Sequence, residues 1–205
     1  MEPWRPVSRQ FFAQPTEVLA ENLLGMILVH ESDEGPAAVK IVEVEMYRGP
    51  FDKGAHSYGG RPTPRTQVMF GPPGHAYIYF IYGMYYCFNV VAAEPGAPEA
   101  ILIRAGEPVQ GLALMARRRQ LQTVPVRERD RVQLARGPGR LAQALGLTKA
   151  QYGWPLWQAP LYIAPSITPW SGQVARGPRI NIGYADEAQA FPWRFWVKGH
   201  PAVSK

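Results

Sequence analysis

Two glutamates in the apolar run VKIVEVEMY, Glu43 and Glu45, are the residues of this sequence best placed for acid–base chemistry. Successive side chains of a β-strand point to opposite faces, so a strand here puts both carboxylates and Tyr47 on one face, with neighbours about 7 Å apart. Two like charges at that distance, partly screened from water, make it easier for one carboxylate to hold a proton. The pattern is typical of a general base or acid. The alternative is a solvent-facing strand edge whose glutamates have no catalytic role.

A glycine-rich segment further along, GAHSYGGRPTPR, holds residues suited to contact a phosphate group, namely Arg61, Thr63 and Arg65. Arginine side chains, hydroxyl groups and backbone N–H groups beside glycine commonly bind nucleic-acid phosphates. Arg140 follows a Gly-Pro-Gly sequence at the start of a predicted helix, where the helix N-terminus also favours phosphate. The alternative is a pair of ordinary surface loops. His56, alone in the glycine-rich segment, is more typical of a surface or hydrogen-bonding residue than of a catalyst.

The charge of the chain agrees with an anionic partner. Its 205 residues carry a net charge of +6 and its pI is about 9.6, which favours nucleic acid. A basic protein without such a partner is the alternative. The single cysteine, Cys87, cannot form an internal disulfide, so we expect a reducing, cytoplasmic location. The four histidines have no metal-ligand spacing with one another or with Cys87, so we expect no metal site.

Residues 74–91, GHAYIYFIYGMYYCFNVV, contain five tyrosines, and no formal charge occurs from position 76 to position 93. Such a run raises the possibility of a transmembrane helix, but tyrosines throughout, a central glycine and an asparagine argue against it. Aromatic and β-branched residues favour two strands instead. The Gly83-Met84 pair between them predicts a two-residue type II′ turn, flanked by Tyr82 and Tyr85. We expect Tyr82 to be exposed, and the other tyrosines to be core residues or a face that stacks a planar base.

The remaining segments predict an α+β fold, a single mixed domain over residues 1–205 with a mostly antiparallel sheet and peripheral helices. Helices are expected at residues 16–24, with Thr16 as the cap, at 108–120 and from 138 onward. Strands are expected at residues 26–30, 37–47, 100–105, 178–183 and 193–198. Residues 153–170 are rich in proline and tryptophan and show no clear periodicity.

Several motifs, in order along the chain, closely resemble the alkyladenine (3-methyladenine) DNA glycosylases: VEVEMYRGPFDKGAHS, GGRPTPRTQVMFGPPGHAYIYFIYGMYYCFNVV and AILIRAGEP. The similarity extends to LAENLLGMILVH, GPGRLAQALGL, RINIG and WRFWVKG, so it covers most of the chain. The resemblance implies a curved antiparallel sheet, similar to the C-terminal domain of a tRNA formyltransferase. It also implies release of alkylated or deaminated purines from DNA by hydrolysis of the N-glycosidic bond, without a cofactor or a lysine Schiff base. 3-Methyladenine, 7-methylguanine, hypoxanthine and ethenoadenine all remain candidate lesions.

The same resemblance implies roles for individual residues. Glu45 matches the general base that activates the attacking water, and Arg104, in ILIRA, matches an arginine that helps to hold this water. The pocket walls that enclose the flipped base match Tyr47, His56 and Tyr79. The backbone N–H group of His56 is expected to contact the edge of the base.

Two further residues of the resemblance concern the DNA itself. Asn89 matches a residue that disfavours guanine by crowding its 2-amino group, and Tyr82 matches a side chain wedged into the duplex where the damaged nucleotide was. A base must leave the stack before its sugar carbon can be attacked, and an aromatic side chain at a hairpin tip slows its return. We therefore expect the partner to be double-stranded DNA with damaged purines and not a membrane. We also expect the protein to be a monomer and, if it is bacterial, to associate with the nucleoid.

Two alternatives belong to other classes of protein. The first is a non-catalytic nucleic-acid-binding module built on the same sheet, which would have no need for Glu45 on an aromatic face beside an arginine. The second is an unrelated small-molecule enzyme that uses Glu43 and Glu45, which the basic charge disfavours.

Overall fold

Nine β-strands form one strongly curled antiparallel sheet in the computed structural model, which describes residues 4–167 and 172–204. The strands are β1 (Ile27–Ser32), β2 (Gly35–Arg48), β3 (Ala76–Ile81), β4 (Tyr85–Ala92), β5 (Glu99–Gln110), β6 (Trp157–Gln158), β7 (Leu161–Ala164), β8 (Val174–Gly177) and β9 (Arg194–Val197). Their order across the sheet is β3-β4-β5-β2-β1-β7-β6, and β9 pairs with both β2 and β8. The predicted α+β fold with a mostly antiparallel sheet is confirmed.

Four α-helices are described, α1 (Thr16–Leu23), α2 (Leu112–Arg118), α3 (Glu128–Arg131) and α4 (Pro138–Leu145). The main hydrophobic core lies between one face of the sheet and these peripheral elements. It joins Val44 of β2 and Ile101 of β5 to Leu19 of α1, Met115 of α2 and Leu141 of α4. Each of these side chains is fully buried, so this face of the sheet is not available to a substrate.

The opposite face of the sheet carries the polar residues. Across neighbouring strands, Glu45 of β2 pairs with Leu102 of β5, and Leu102 pairs with Asn89 of β4. Asn89 in turn pairs with Tyr77 of β3. Residues directly opposite in an antiparallel sheet share a face, so these four side chains form a row across four strands. Glu45 points away from the core residues Val44 and Met46, as predicted, but register shifts on both sides of Glu43 interrupt the alternation, so Val42 packs in a cluster separate from that of Val44.

The uncharged tyrosine run forms β3 and β4, as predicted, but the turn between them is different. Ile81 pairs with Tyr85, so three residues, 82 to 84, connect the strands rather than Gly83-Met84 alone. Tyr82 and Gly83 both have positive φ, 54° and 67°, which is the pattern of a type I′ turn and not of type II′. The prediction placed Gly83 at the first central position of the turn, whereas it occupies the second. Tyr82 occupies the first, which the sequence did not suggest because a tyrosine rarely adopts positive φ. No helix of the described ranges is long and apolar enough to cross a membrane.

Other sequence predictions were wrong in their details. Pro15, not Thr16, is the cap of α1, and the Thr16 hydroxyl is buried inside the first turn. Helix α2 begins only at Leu112, because β5 continues to Gln110. The predicted strand at 178–183 is an irregular segment, and the strand that pairs with β9 is β8, just before it. The proline- and tryptophan-rich segment contains β6 and β7, and its positions 168–170 lie outside the described residues.

Candidate active site

A cavity of about 190 Å³ opens on the polar face of the sheet, between the strand row and the segments around residues 54–56, 138–139 and 180–184. Typical small-molecule pockets begin at about 300 Å³, so this cavity suits only a small ligand or part of a larger one. Six residues predicted from the sequence line it, and these are Tyr47, His56, Tyr79, Tyr82, Asn89 and Arg104. The fold thus brings together side chains that are spread over 58 sequence positions, from 47 to 104.

Glu45 lies immediately behind the cavity wall and is fully buried. Its carboxylate accepts hydrogen bonds from the Tyr47 hydroxyl (2.8 Å), from Arg104 Nη1 (3.2 Å) and from the backbone N–H of Ile180 (2.7 Å). All three donors belong to residues that line the cavity. A carboxylate offers about four acceptor sites, so one site remains for a further donor such as a water molecule.

Glu43, the other predicted carboxylate, does not line the cavity. It is fully buried and belongs to a network with Arg104, Arg194 and Ser204. Arg104 therefore lies between the two glutamates, with an ion pair to each. Two carboxylates face two arginines here, so the buried charges are balanced.

The phenol of Tyr47 connects Glu45 to the cavity. Burial, followed by the negative charge of Glu45, raises the pKa of Tyr47 well above its ordinary value. The phenol therefore stays protonated and donates its hydrogen bond to the carboxylate. The guanidinium of Arg179 lies over the ring, 4.6 Å from its centroid, and fixes the ring from one side.

His56 and Tyr79 form an aromatic corner of the cavity, with ring centroids 4.5 Å apart and planes at 81°. His56 Nε2 lies 3.2 Å from Arg65 Nη2, and Nδ1 lies 2.7 Å from the Tyr77 hydroxyl. Because arginine only donates, Nε2 must accept, and the ring proton is therefore on Nδ1 and is donated to Tyr77. Desolvation by the surrounding side chains, and then the positive charge of Arg65, lowers the pKa of His56 to about 4. The imidazole is therefore neutral, although the residue as a whole is exposed at the edge of the cavity.

The floor of the cavity is formed by β3 and β4. Asn89 is almost fully buried, and its Nδ2 donates to the carbonyl oxygen of Tyr77 at 2.9 Å, which fixes the amide in one orientation. Burial raises the pKa of Cys87, Tyr77 and Tyr79, so the thiol and both phenols are neutral. The cavity is therefore an uncharged, largely aromatic chamber with the charges of Arg104 and Glu45 at one end.

The mouth of the cavity lies beside the β3–β4 turn. Tyr82 is 73% exposed and Tyr184, across the mouth, is 67% exposed. On the other side, α4 approaches so closely that a Cβ atom at Gly139 would lie 2.9 Å from the ring of Tyr85. The glycine is therefore required for this helix to border the cavity.

Comparisons with known proteins identify the family of the chain. A family model described as methylpurine-DNA glycosylase matches residues 10–201. The chain belongs to the methylpurine-DNA glycosylase family. A relative from Bacillus cereus, named "Putative 3-methyladenine DNA glycosylase", is 50% identical over 199 residues, which are 95% of this chain and 97% of the relative. Relatives of the same name from Bacillus thuringiensis and Bacillus anthracis are 49% identical over the same shares. The resemblance seen in the sequence is confirmed.

Of the four residues predicted to contact the DNA backbone in this glycosylase family member, two are free to do so. Arg61 and Arg140 are exposed, and the only hydrogen bond described for Arg140 is a 3.3 Å contact with a glutamine side chain. Arg65 is exposed but lies over the ring of Tyr79, 4.8 Å from its centroid, and beside His56. The Thr63 hydroxyl is bound within its own loop, 2.9 Å from the Thr66 hydroxyl.

The sequence did not identify the segment around Ile180 as part of the cavity wall. Ile180 supplies the backbone donor to Glu45, and Arg179 forms a fully buried ion pair with Asp52, with N–O distances of 2.5 and 2.7 Å. The sequence predicted a strand at 178–183 instead. An arginine between Pro178 and an apolar Ile-Asn-Ile run was the one available signal that this charge is buried.

Proposed function

We propose that the chain is a monofunctional DNA glycosylase, acting as a monomer through one domain, that flips a damaged purine out of duplex DNA and hydrolyses its N-glycosidic bond. Alkylated and deaminated purines such as 3-methyladenine are the proposed substrates, and an abasic site is the product. One observation carries the proposal. A carboxylate, Glu45, is held by Tyr47, Arg104 and a backbone N–H group directly behind an aromatic cavity of about 190 Å³.

Extrusion of the damaged nucleotide is the first proposed step. It costs a few kcal/mol for a paired base and less for a damaged one, so weak pairing already favours the lesion. Tyr82, 73% exposed at the tip of the β3–β4 turn and beside the cavity mouth, enters the duplex in place of the nucleotide. An inserted aromatic ring keeps the stack filled and slows the return of the base.

Recognition of the flipped base follows from the cavity walls. Tyr47, His56 and Tyr79 enclose the base with uncharged aromatic surface, which favours a cationic purine through cation–π attraction. The backbone N–H of His56 contacts the edge of the base. Asn89, whose amide is fixed by the Tyr77 carbonyl, excludes guanine by crowding its 2-amino group.

Hydrolysis is the last proposed step. Glu45 takes a proton from a water molecule held with the help of Arg104, while the oxygen of the water bonds to C1′ of the sugar on the face opposite the base. The C1′–N bond breaks, and its electron pair leaves with the purine, which neutralises the charge of a methylated base. The transition state resembles an oxocarbenium ion, so the nearby carboxylate also stabilises the developing positive charge.

Binding of the flanking DNA is assigned to the basic loops. Arg61 and Arg140, which are exposed, contact phosphates on either side of the flipped nucleotide, whereas Arg65 and Thr63 are engaged by Tyr79, His56 and Thr66. Phosphate contacts of this kind set the position of the protein on the duplex and make its affinity dependent on salt.

The proposal is tested by incubating the protein with methylated duplex DNA and measuring free 3-methyladenine by chromatography over time. A sample without protein corrects for spontaneous depurination. We expect protein-dependent release, with one abasic site formed for each base released. Tight binding to the methylated duplex without release above the protein-free sample would contradict the proposal and indicate a binding module.

A further inference from the structure

We propose that Glu43 and Ser204 are positioning residues for base release. Together they hold the guanidinium group of Arg104 so that only one of its nitrogens faces Glu45. The inference rests on the proposed role of Glu45 as the general base. It assigns a purpose to the second buried carboxylate, which neither lines the cavity nor touches the proposed substrate.

The carboxylate of Glu43 accepts four hydrogen bonds from other groups of the protein. Oε1 accepts from Arg104 Nε (3.1 Å), Arg194 Nε (2.7 Å) and the Ser204 hydroxyl (2.9 Å), and Oε2 accepts from the Ser204 backbone N–H (2.6 Å). Three of the four donors share Oε1, so the remaining acceptor site is on Oε2, and because Glu43 is fully buried and does not line the cavity this site is not open to a water molecule bound there. Its contribution must therefore be made through the groups it binds.

Arg104 is the group that connects Glu43 to the cavity. Its three nitrogens each have a separate acceptor: Nε is bound to Glu43, Nη1 to Glu45 at 3.2 Å and Nη2 to the Ser204 hydroxyl at 3.3 Å. A guanidinium group is planar and rigid, so three acceptors in different directions fix both its position and its orientation. Glu45 receives one hydrogen bond from an arginine that could otherwise give it two.

The division of Arg104 between two carboxylates has a chemical consequence. An arginine facing a single buried carboxylate tends to bind it with two parallel hydrogen bonds. Such a pair with Glu45 would occupy both carboxylate oxygens, in addition to the Tyr47 and Ile180 donors, and leave no acceptor site for the water. Glu43 and Ser204 prevent this pairing because they hold Nε and Nη2.

Ser204 is itself fixed in place by elements around it. Arg194 of β9 donates from Nη2 to the Ser204 carbonyl at 3.0 Å, and Arg136 donates from Nε to the carbonyl of the preceding residue at 2.8 Å. Ala202 is fully buried beside Val42 of β2. The segment before residue 205 is thus anchored to the strand that carries both glutamates.

The test is the single-turnover release of 3-methyladenine from methylated duplex DNA, with each variant in saturating excess. Under this condition the rate constant does not depend on the fraction of the protein that is folded, so simple loss of folded protein does not alter it. We expect Ser204→Ala to lower the rate constant by about 10- to 100-fold, the range typical of small misplacements in an active site, with unchanged affinity for the duplex. Ser204→Thr, which keeps the hydroxyl, should retain close to the wild-type rate. Ser8→Ala, which removes an exposed hydroxyl without a cap hydrogen bond, is the matched control.

Glu43→Gln provides a second test because it removes the charge that competes for Arg104. We expect a loss of rate at least as large as that of Ser204→Ala, again with unchanged DNA affinity. Ser204→Ala changes no charge and so decides the matter if Glu43→Gln is too unstable to purify. Wild-type rates in both variants, or equal losses in Ser204→Ala and Ser204→Thr, would overturn the inference and leave the proposed function standing. A wild-type protein that releases no base would overturn the proposed function itself.

Discussion

The imidazole of His56 lies between the guanidinium group of Arg65 and the hydroxyl group of Tyr77. Arg65 can only donate to Nε2, so Nδ1 carries the proton and donates to Tyr77. The ring is therefore an uncharged wall of the cavity, and the positive charge beside it is that of Arg65. The sequence alone presented His56 as an isolated loop residue, because Tyr77 and Arg65 reach it only through the fold.

The protonation state of His56 is directly measurable. Nitrogen-15 NMR of the imidazole should show the Nδ1–H tautomer at pH 6 and a titration with a pKa of about 4. Arg65→Met removes the second cause of the shift but not the desolvation, so the pKa should rise and stay below the ordinary value of 6.5. A His56 that titrates at its ordinary value in the wild type would contradict the desolvated, neutral wall.

The same shift links His56 to stability. Between pH 6.5 and about 4 the unfolded chain binds a proton at this residue and the folded chain does not. The contribution of His56 to stability is therefore complete above pH 6.5 and decreases as the pH falls through that window.

At the scale of elements, the β3–β4 hairpin places an aromatic side chain where it cannot be buried. Tyr82 has a φ of 54°, a left-handed conformation that is uncommon for a tyrosine, and is 73% exposed. Phe80 and Met84 on the same tip are also about half exposed or more, at 51% and 65%. An exposed apolar tip beside a cavity mouth is the arrangement expected of a wedge that enters a base stack.

Substitution of Tyr82 tests this role. Tyr82→Ala removes the ring, and we expect the equilibrium between stacked and flipped base to shift toward the stacked state by about tenfold, within the range of base–aromatic stacking energies. Tyr82→Phe keeps the ring and should behave as the wild type. The measurement is the fluorescence of a base analogue at the lesion position on addition of protein. An unchanged flipping equilibrium in Tyr82→Ala would refute the wedge.

The connection between β8 and β9 is a second element that the site needs. Arg179 binds Asp52 with both terminal nitrogens, and Asp52 also accepts from the backbone N–H groups of Arg48 and Gly54. This fully buried pair joins the segment that supplies the Ile180 donor to the loop that carries His56.

Breaking this buried pair should be costly. Asp52→Asn leaves the charge of Arg179 buried and unpaired, so we expect a loss of about 3–5 kcal/mol in the free energy of unfolding, measured with urea. Asp186→Asn, which breaks the exposed pair of Asp186 with Lys53, is the matched control and should change stability little. Equal effects of the two substitutions would contradict the structural role of the Arg179–Asp52 pair.

At the scale of the whole molecule, the net charge is +6, but only some of the basic side chains are exposed and unpaired enough to contact a partner. Arg179 is buried in an ion pair, Arg176 binds Glu17 and Glu21, and Arg136 binds a backbone carbonyl. The interactions of these arginines lie within the protein and stabilise the fold. Arg61 and Arg140, in contrast, are exposed, so their charge is available to a phosphate backbone.

The salt dependence of DNA binding distinguishes these two classes of arginine. Each phosphate contact contributes a slope of about one in a plot of log affinity against log salt concentration. We expect Arg61→Ala and Arg140→Ala each to reduce the magnitude of this slope by about 1. Arg176→Ala should leave the slope unchanged, because its charge is already neutralised. The phosphate assignment fails if neither Arg61→Ala nor Arg140→Ala alters the slope.

Much of the fold and the cavity lining could be predicted from the sequence, because alternation along β2 and β3 is a local property. Glu45 and Tyr47 share one face of β2, as predicted, for this reason. The irregular segment around Ile180 could not be predicted, because its conformation depends on an ion pair with Asp52, 127 positions away in the sequence. Local periodicity carries no information about such long-range pairs, and the hydrogen-bond network of Glu43 was missed for the same reason.

The central claim is that Glu45 activates the water that releases the base. The most direct test compares Glu45→Gln with the wild type in single-turnover release of 3-methyladenine from methylated duplex DNA, with affinity for the same duplex measured in parallel. Glutamine keeps the size of the side chain but cannot take a proton, so we predict unchanged binding and a rate lower by about 100-fold or more. Release by Glu45→Gln at the wild-type rate would contradict the account.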